Sequence, residues 1–157
     1  MPKKFKDISH LLKPDPRYRD RVVGKFINCL MKDGKKSIAQ RIFYRALNEV
    51  QRKVPGVDPI EVFRKALANL RPHVEVRSKR VGGATYQVPM EVPQRRQMSL
   101  TFRWLLEASR KKKGRPMHLR LAEELAAAYK GEGEAMAMRE NVHKMAEANK
   151  AFAHFAW

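Results

Sequence analysis

The sequence predicts a mainly α-helical single domain of about six helices, with one protruding β-hairpin over residues 74–92. An extended basic N-terminal arm over 1–18 precedes this helical body at 19–157. Three observations predict it. Apolar residues recur at helical spacing in six stretches, most of them bounded by Gly, Pro or an acidic cap. Only the stretch from Val74 to Val92 changes to alternation, on either side of Gly82-Gly83. The first 18 residues mix Lys3, Lys4, Lys6, Lys13 and Arg17 with Pro14 and Pro16 and keep no period.

Asp20 is placed to cap the first helix, whose apolar stripe is Val22, Val23, Phe26, Ile27, Leu30 and Met31, with Asp33-Gly34 as its stop. A second helix carries Ile38, Ile42, Phe43, Ala46, Leu47 and Val50 inward, and the two should pair as a helical hairpin. Asp58-Pro59-Ile60-Glu61 combines an N-cap acceptor, a proline whose missing N–H costs nothing there, and a glutamate three residues after the cap. Val62, Phe63, Ala66, Leu67 and Leu70 follow, and Pro72 ends this third helix. Beyond Pro93, Leu100, Trp104, Leu105 and Ala108 mark a fourth helix that runs into Arg110-Lys111-Lys112-Lys113 and closes at Gly114. Pro116 starts a fifth with Leu119, Leu121, Ala122, Leu125 and Ala126. Gly131 to Gly133 separates it from a sixth with Ala135, Met138, Val142, Met145 and Ala146.

In the hairpin, Val74, Val76, Tyr86, Val88, Met90 and Val92 share one apolar face only if opposed residue numbers sum to an even value. A three-residue loop, Val81-Gly82-Gly83, meets that condition and sets Val76 against Val88 and Val74 against Met90. A two-residue Gly-Gly turn would set Val76 against Pro89. Arg77, Lys79, Thr85 and Gln87 then occupy the second face, with Arg80 at the tip. A ribbon with an apolar root and a cationic end suits a nucleic-acid groove.

The charge points the same way. Against 34 Lys and Arg stand 16 Asp and Glu, a net charge of +18 that favours a polyanionic partner. Residues 1–118 hold 29 basic and 10 acidic residues, whereas 119–157 hold 5 and 6. One cysteine, Cys29, excludes an intrachain disulfide and a thiolate cluster within one chain, which fits a reducing compartment. Asp7, Ser9 and His10 interrupt any signal-like apolar run, and no 18 apolar residues occur together. Neither secretion nor a membrane span is expected.

Catalytic chemistry finds little purchase. Gly34-Lys35 lacks the following Ser or Thr of a phosphate loop and its upstream glycine. The five histidines show no metal-ligand spacing, so neither metal nor cofactor is expected, and no small-molecule substrate. Cys29 reads as a buried inert thiol, and Trp104, in step with Leu100 and Ala108, as core.

Three long motifs resemble the bacterial-type small-subunit ribosomal protein S-seven family. They are K-F-I-N at 25–28 with L-M-K-D-G-K-K-S at 30–37, E-V-R-S-K-R-V-G-G-A-T-Y-Q-V-P at 75–89, and M-A-E-A-N-K-A-F-A-H-F at 145–155. The likeness runs in order from about Asp15 to Trp157. It implies a structural, non-enzymatic protein that binds the 3′ major domain of small-subunit ribosomal RNA and helps assemble the subunit head. It further implies a position near the transfer-RNA exit site, with ribosomal proteins S-nine and S-eleven as neighbours. Carried over residue by residue, the RNA-facing positions are Lys35, Lys36, Arg77, Arg80, Gly82, Gly83, Arg95 and Arg96. Lys79 stands where arginine is common, keeping charge without the fork. Phe155-Ala156-Trp157 replaces a frequent tyrosine-arginine-tryptophan ending.

Lys3, Lys4 and Lys6 join the RNA-facing set by charge alone, and Lys111 and Lys112 in a minor role beside the reading of a solvated helix end. Lys35 and Lys36 oppose the positive end of a helix dipole, a cost that an anionic partner would offset. Phe152, His154, Phe155 and Trp157 are expected to face a protein partner or transfer RNA, the alternative being closure of the last helix's core. Two further readings stay open: a regulator of messenger RNA, and an enzyme acting on nucleic acid.

Overall fold

A computed structural model describes residues 7–156; Lys3, Lys4, Lys6 and Trp157 lie outside the described residues. Cα packing divides the chain into two units, one ending at Tyr44 and the other starting at Arg45.

In the first unit, the Asp20 carboxylate accepts the Val22 N–H at 2.7 Å and opens α1, Arg21–Leu30. The helix stops at Leu30, short of Asp33-Gly34, because Met31 turns extended. Asp33 and Gly34 are both left-handed, with φ of 53° and 70°, and reverse the chain into α2, Lys36–Lys53. Val23, Phe26, Ile27, Ala39 and Phe43 are buried, and the Phe26 and Phe43 rings meet at 5.6 Å. Ile38, expected inside, is exposed, and Ala39 takes the buried position. Cys29 is likewise exposed rather than buried, since it falls off the Val23–Phe26–Ile27–Leu30 stripe.

Asp15, just ahead of α1, is 2% exposed. Its carboxylate accepts the backbone N–H of Arg17 and Tyr18 and the Tyr44 hydroxyl at 2.6 Å. Arg17 lies over the rings of both Tyr18 and Tyr44. Buried Gly24 of α1 leaves room for this segment: a Cβ there would sit 2.7 Å from the Lys13 carbonyl oxygen.

In the second unit, Asp58 caps α3, Pro59–Leu70, through the Ile60 N–H. The hairpin follows, β1 at Val74–Val81 and β2 at Ala84–Glu91, then α4 at Gln94–Lys111, α5 at Met117–Tyr129 and α6 at Glu134–Ala148. A short 3-10 segment, Lys150–Phe155, ends the described chain. Helices α3 to α6 pack on one another around Phe63, Leu67, Leu70, Leu105, Leu121 and Leu125. Trp104 is buried with Leu100 and Ala108, as its stripe predicts. Met145 is not; it is 51% exposed, and Met136 is buried instead.

One acid organises the α5–α6 corner. Glu124 is fully buried, and its Oε1 accepts the Ala135 N–H at 2.8 Å in the first turn of α6. Lys112 Nζ stands 3.2 Å from its Oε2. Gly133, at φ 100°, fits beneath, where a Cβ would lie 2.8 Å from Glu124 Oε1.

Candidate nucleic-acid interface

The hairpin corrects the expected register. Val81 opposes Ala84 and Val76 opposes Pro89, so the turn is the two-residue Gly82-Gly83, with φ of 56° and 85°. Left-handed conformation at both positions is what the favoured twisted hairpin turn needs, and two glycines supply it. The three-residue loop fails because it assumed a single apolar face. Instead Glu75, Arg77 and Lys79 oppose Met90, Val88 and Tyr86 on one face. Val74 and Val76 share the other with Pro89, and Ser78 there bonds Gln87 across the strands.

Charged residues can stand opposite apolar ones here because each finds a partner. Glu75 is 7% exposed. Its Oε1 accepts both Arg77 Nε at 3.0 Å and Arg77 Nη2 at 2.8 Å, and its Oε2 accepts Arg96 Nε at 3.3 Å. Lys79 lays its stem along the same face and donates from Nζ to the Phe155 carbonyl at 2.6 Å. Tyr86 packs against Phe152 and Phe155, with ring centroids 5.2 and 5.0 Å away.

Among the predicted RNA-facing residues, Arg77, Arg80, Gly82, Gly83 and Arg95 are exposed and Arg96 is half-buried. Arg77 and Arg96 are brought together by Glu75, an acid that sequence reading passed over because a lone carboxylate in a cationic ribbon carries no motif. Lys35 and Lys36 are exposed at the start of α2, and no carboxylate of the described residues pairs with either. Lys111 and Lys112 differ. Lys111 bonds Glu134 at 2.6 Å, which raises the lysine and lowers the glutamate from their ordinary pKa ranges. Lys112 serves Glu124 and, at 3.8 Å, Glu123. Phe152 and Phe155 are half-buried on Tyr86, while His154 is exposed.

At the ribbon's root, the His73 N–H points to His143 Nε2 at 3.2 Å, and the two imidazoles stack. Burial, then the Arg139 charge, holds His143 below its ordinary range, consistent with a neutral acceptor. Among the described residues no group of three potential metal ligands converges, and no helix is long and apolar enough to cross a membrane.

Comparison with known proteins gives these features a setting. A family model described as "Ribosomal protein S7p/S5e" matches residues 2–150. The chain is 62% identical over 144 residues to the small ribosomal subunit protein uS7 of Rhodopirellula baltica, covering 91% of this chain and 92% of that one. It is 58% identical to uS7 of Paracoccus denitrificans, with 92% of each chain covered. With uS7 of Polaromonas naphthalenivorans it shares 50% identity over 99% of both. A helical body with a cationic ribbon and matches of this extent define a ribosomal protein, a structural constituent of the ribosome and not an enzyme. The chain belongs to the ribosomal protein S7p/S5e family. The match takes in residues 2–14, ahead of the point at which the sequence motifs became legible.

Proposed function

We propose that this protein is a cytoplasmic small-subunit constituent that binds the 3′ major domain of small-subunit ribosomal RNA and helps assemble the subunit head, near the transfer-RNA exit site. The observation that carries the reading is the ribbon. Its tip exposes Arg80 beside two glycines without side chains, so an RNA backbone can approach closely, and Arg77 presents planar donors to phosphate from the strand below. Lys35 and Lys36 supply a second cationic point, and the basic residues Lys3, Lys4 and Lys6 a third by charge.

Lys79, Lys111 and Lys112 rank lower, because a carbonyl or carboxylates of the protein already engage their ammonium groups. His154, with the outer edges of Phe152 and Phe155, offers a surface for transfer RNA or for the neighbouring proteins S-nine and S-eleven. Replacing Arg77 and Arg80 together with alanine is expected to weaken binding to a small-subunit ribosomal RNA transcript by tenfold or more and to leave helicity unchanged. Unchanged affinity would remove the ribbon from the mechanism.

A further inference from the structure

Glu75 has no place in an interface built only from positive charge. It is the acidic residue between Val74 and Val76 at the base of a cationic ribbon, its side chain is 10% exposed, and it holds two guanidiniums whose own exposures are 46% and 37%. The carboxylate is therefore shielded while the arginines are presented. Arg77 spends Nε and one edge of Nη2 on Glu75, and Arg96 spends only Nε. The remaining η N–H groups of both side chains have no protein partner among the described residues, and a guanidinium cannot shed its proton to relieve repulsion from its neighbour. Without a negative group between them, two such cations would splay apart.

We propose that Glu75 is a positioning residue for RNA: it locks Arg77 of the ribbon and Arg96 of α4 side by side, so that their outer N–H groups grip neighbouring phosphate oxygens of one RNA segment. The inference rests on the RNA-binding reading above and adds a residue that contacts no RNA itself. Two positioned forks also carry more directional information than two mobile charges, because each can donate parallel bonds to one phosphate.

The test exploits opposite signs. Glu75→Gln raises the net charge by one, so charge alone predicts equal or tighter binding. Positioning predicts about tenfold weaker binding to a small-subunit ribosomal RNA transcript, with a shallower dependence of affinity on salt. Combined with Arg77→Ala and Arg96→Ala, the Glu75→Gln change should become silent. Glu75→Gln that binds as well as or better than the parent, while the arginine pair weakens binding, overturns the Glu75 role and leaves the RNA reading standing. A loss of equal size in both backgrounds also overturns it, since that would mark a general structural defect. An arginine pair without effect would instead remove this part of the RNA reading, and the proposal with it. If Glu75→Gln does not fold, Arg77→Lys decides: it keeps charge but not the fork, and undiminished affinity sinks the proposal.

Discussion

The Tyr44 hydroxyl shows how much one buried acid can fix. Burial, then its hydrogen bond to Asp15 and that residue's charge, push the phenol up to about 12. Its folded value thus lies above its unfolded one, so the stabilisation is fully present below about pH 10 and disappears as pH rises through about 12. An ultraviolet titration should show a late tyrosine ionisation, and Tyr44→Phe should abolish that late step. The same substitution leaves Asp15 its two backbone donors and is expected to cost about 1 kcal/mol in denaturant unfolding. Neither effect was legible in the sequence. Asp15 stands among prolines and cations with no period, and nothing local tells that a tyrosine 29 positions later will reach it.

At the level of elements, the helices were legible by their apolar stripes, and α1 and α3 also by an acidic cap. Asp20 and Asp58 both cap as their positions foretold. The ribbon's place was equally plain, since only 74–92 alternates. Its register was not, because alternation does not require one apolar face: Glu75, Arg77 and Lys79 stand opposite Met90, Val88 and Tyr86, Glu75 and Arg77 pairing with each other and Arg96 and the Phe155 carbonyl reaching in from farther along the chain. Glu124 is the counterpart within the helices: a glutamate on an apolar stripe reads as an exposed residue until the Ala135 N–H is seen to bond it and Lys112 to neutralise its charge. Gly133→Ala should destabilise the protein by about 1–3 kcal/mol, as its Cβ meets Glu124 and its φ of 100° disfavours any side chain. Glu124→Gln, which keeps an acceptor for the Ala135 N–H, should lose less than Glu124→Ala. Thermal unfolding of the three variants would establish that order, and equal losses for Gln and Ala would deny the cap.

For the molecule as a whole, the excess of 18 positive charges is a cost in isolation and an asset beside a polyanion. Carboxylates hold part of the basic set, as at Lys111 and Lys112, so net charge overstates what is available to RNA. If about six phosphates are neutralised, affinity for ribosomal RNA should fall roughly a thousandfold between about 50 and 200 mM monovalent salt. Filter binding across that range checks it; a flat response would be incompatible with an interface of this kind. Composition made the polyanionic partner legible, but which cations remain available is decided by the acids each one meets in the fold: Glu134, Glu123 and Glu124 for Lys111 and Lys112, Glu75 for Arg77 and Arg96.

The strap of the last turn over the second strand carries a consequence of its own. Phe152 and Phe155 shield Tyr86, and the Phe155 carbonyl ties down Lys79, so the ribbon's outer half leans on the segment that follows α6. A protein ending at Asn149 should keep its helices while the amides of 84–88 exchange with solvent faster, and Lys79 would be released toward whatever anion lies nearby. Trimming a tail would thereby retune a limb some 70 residues upstream.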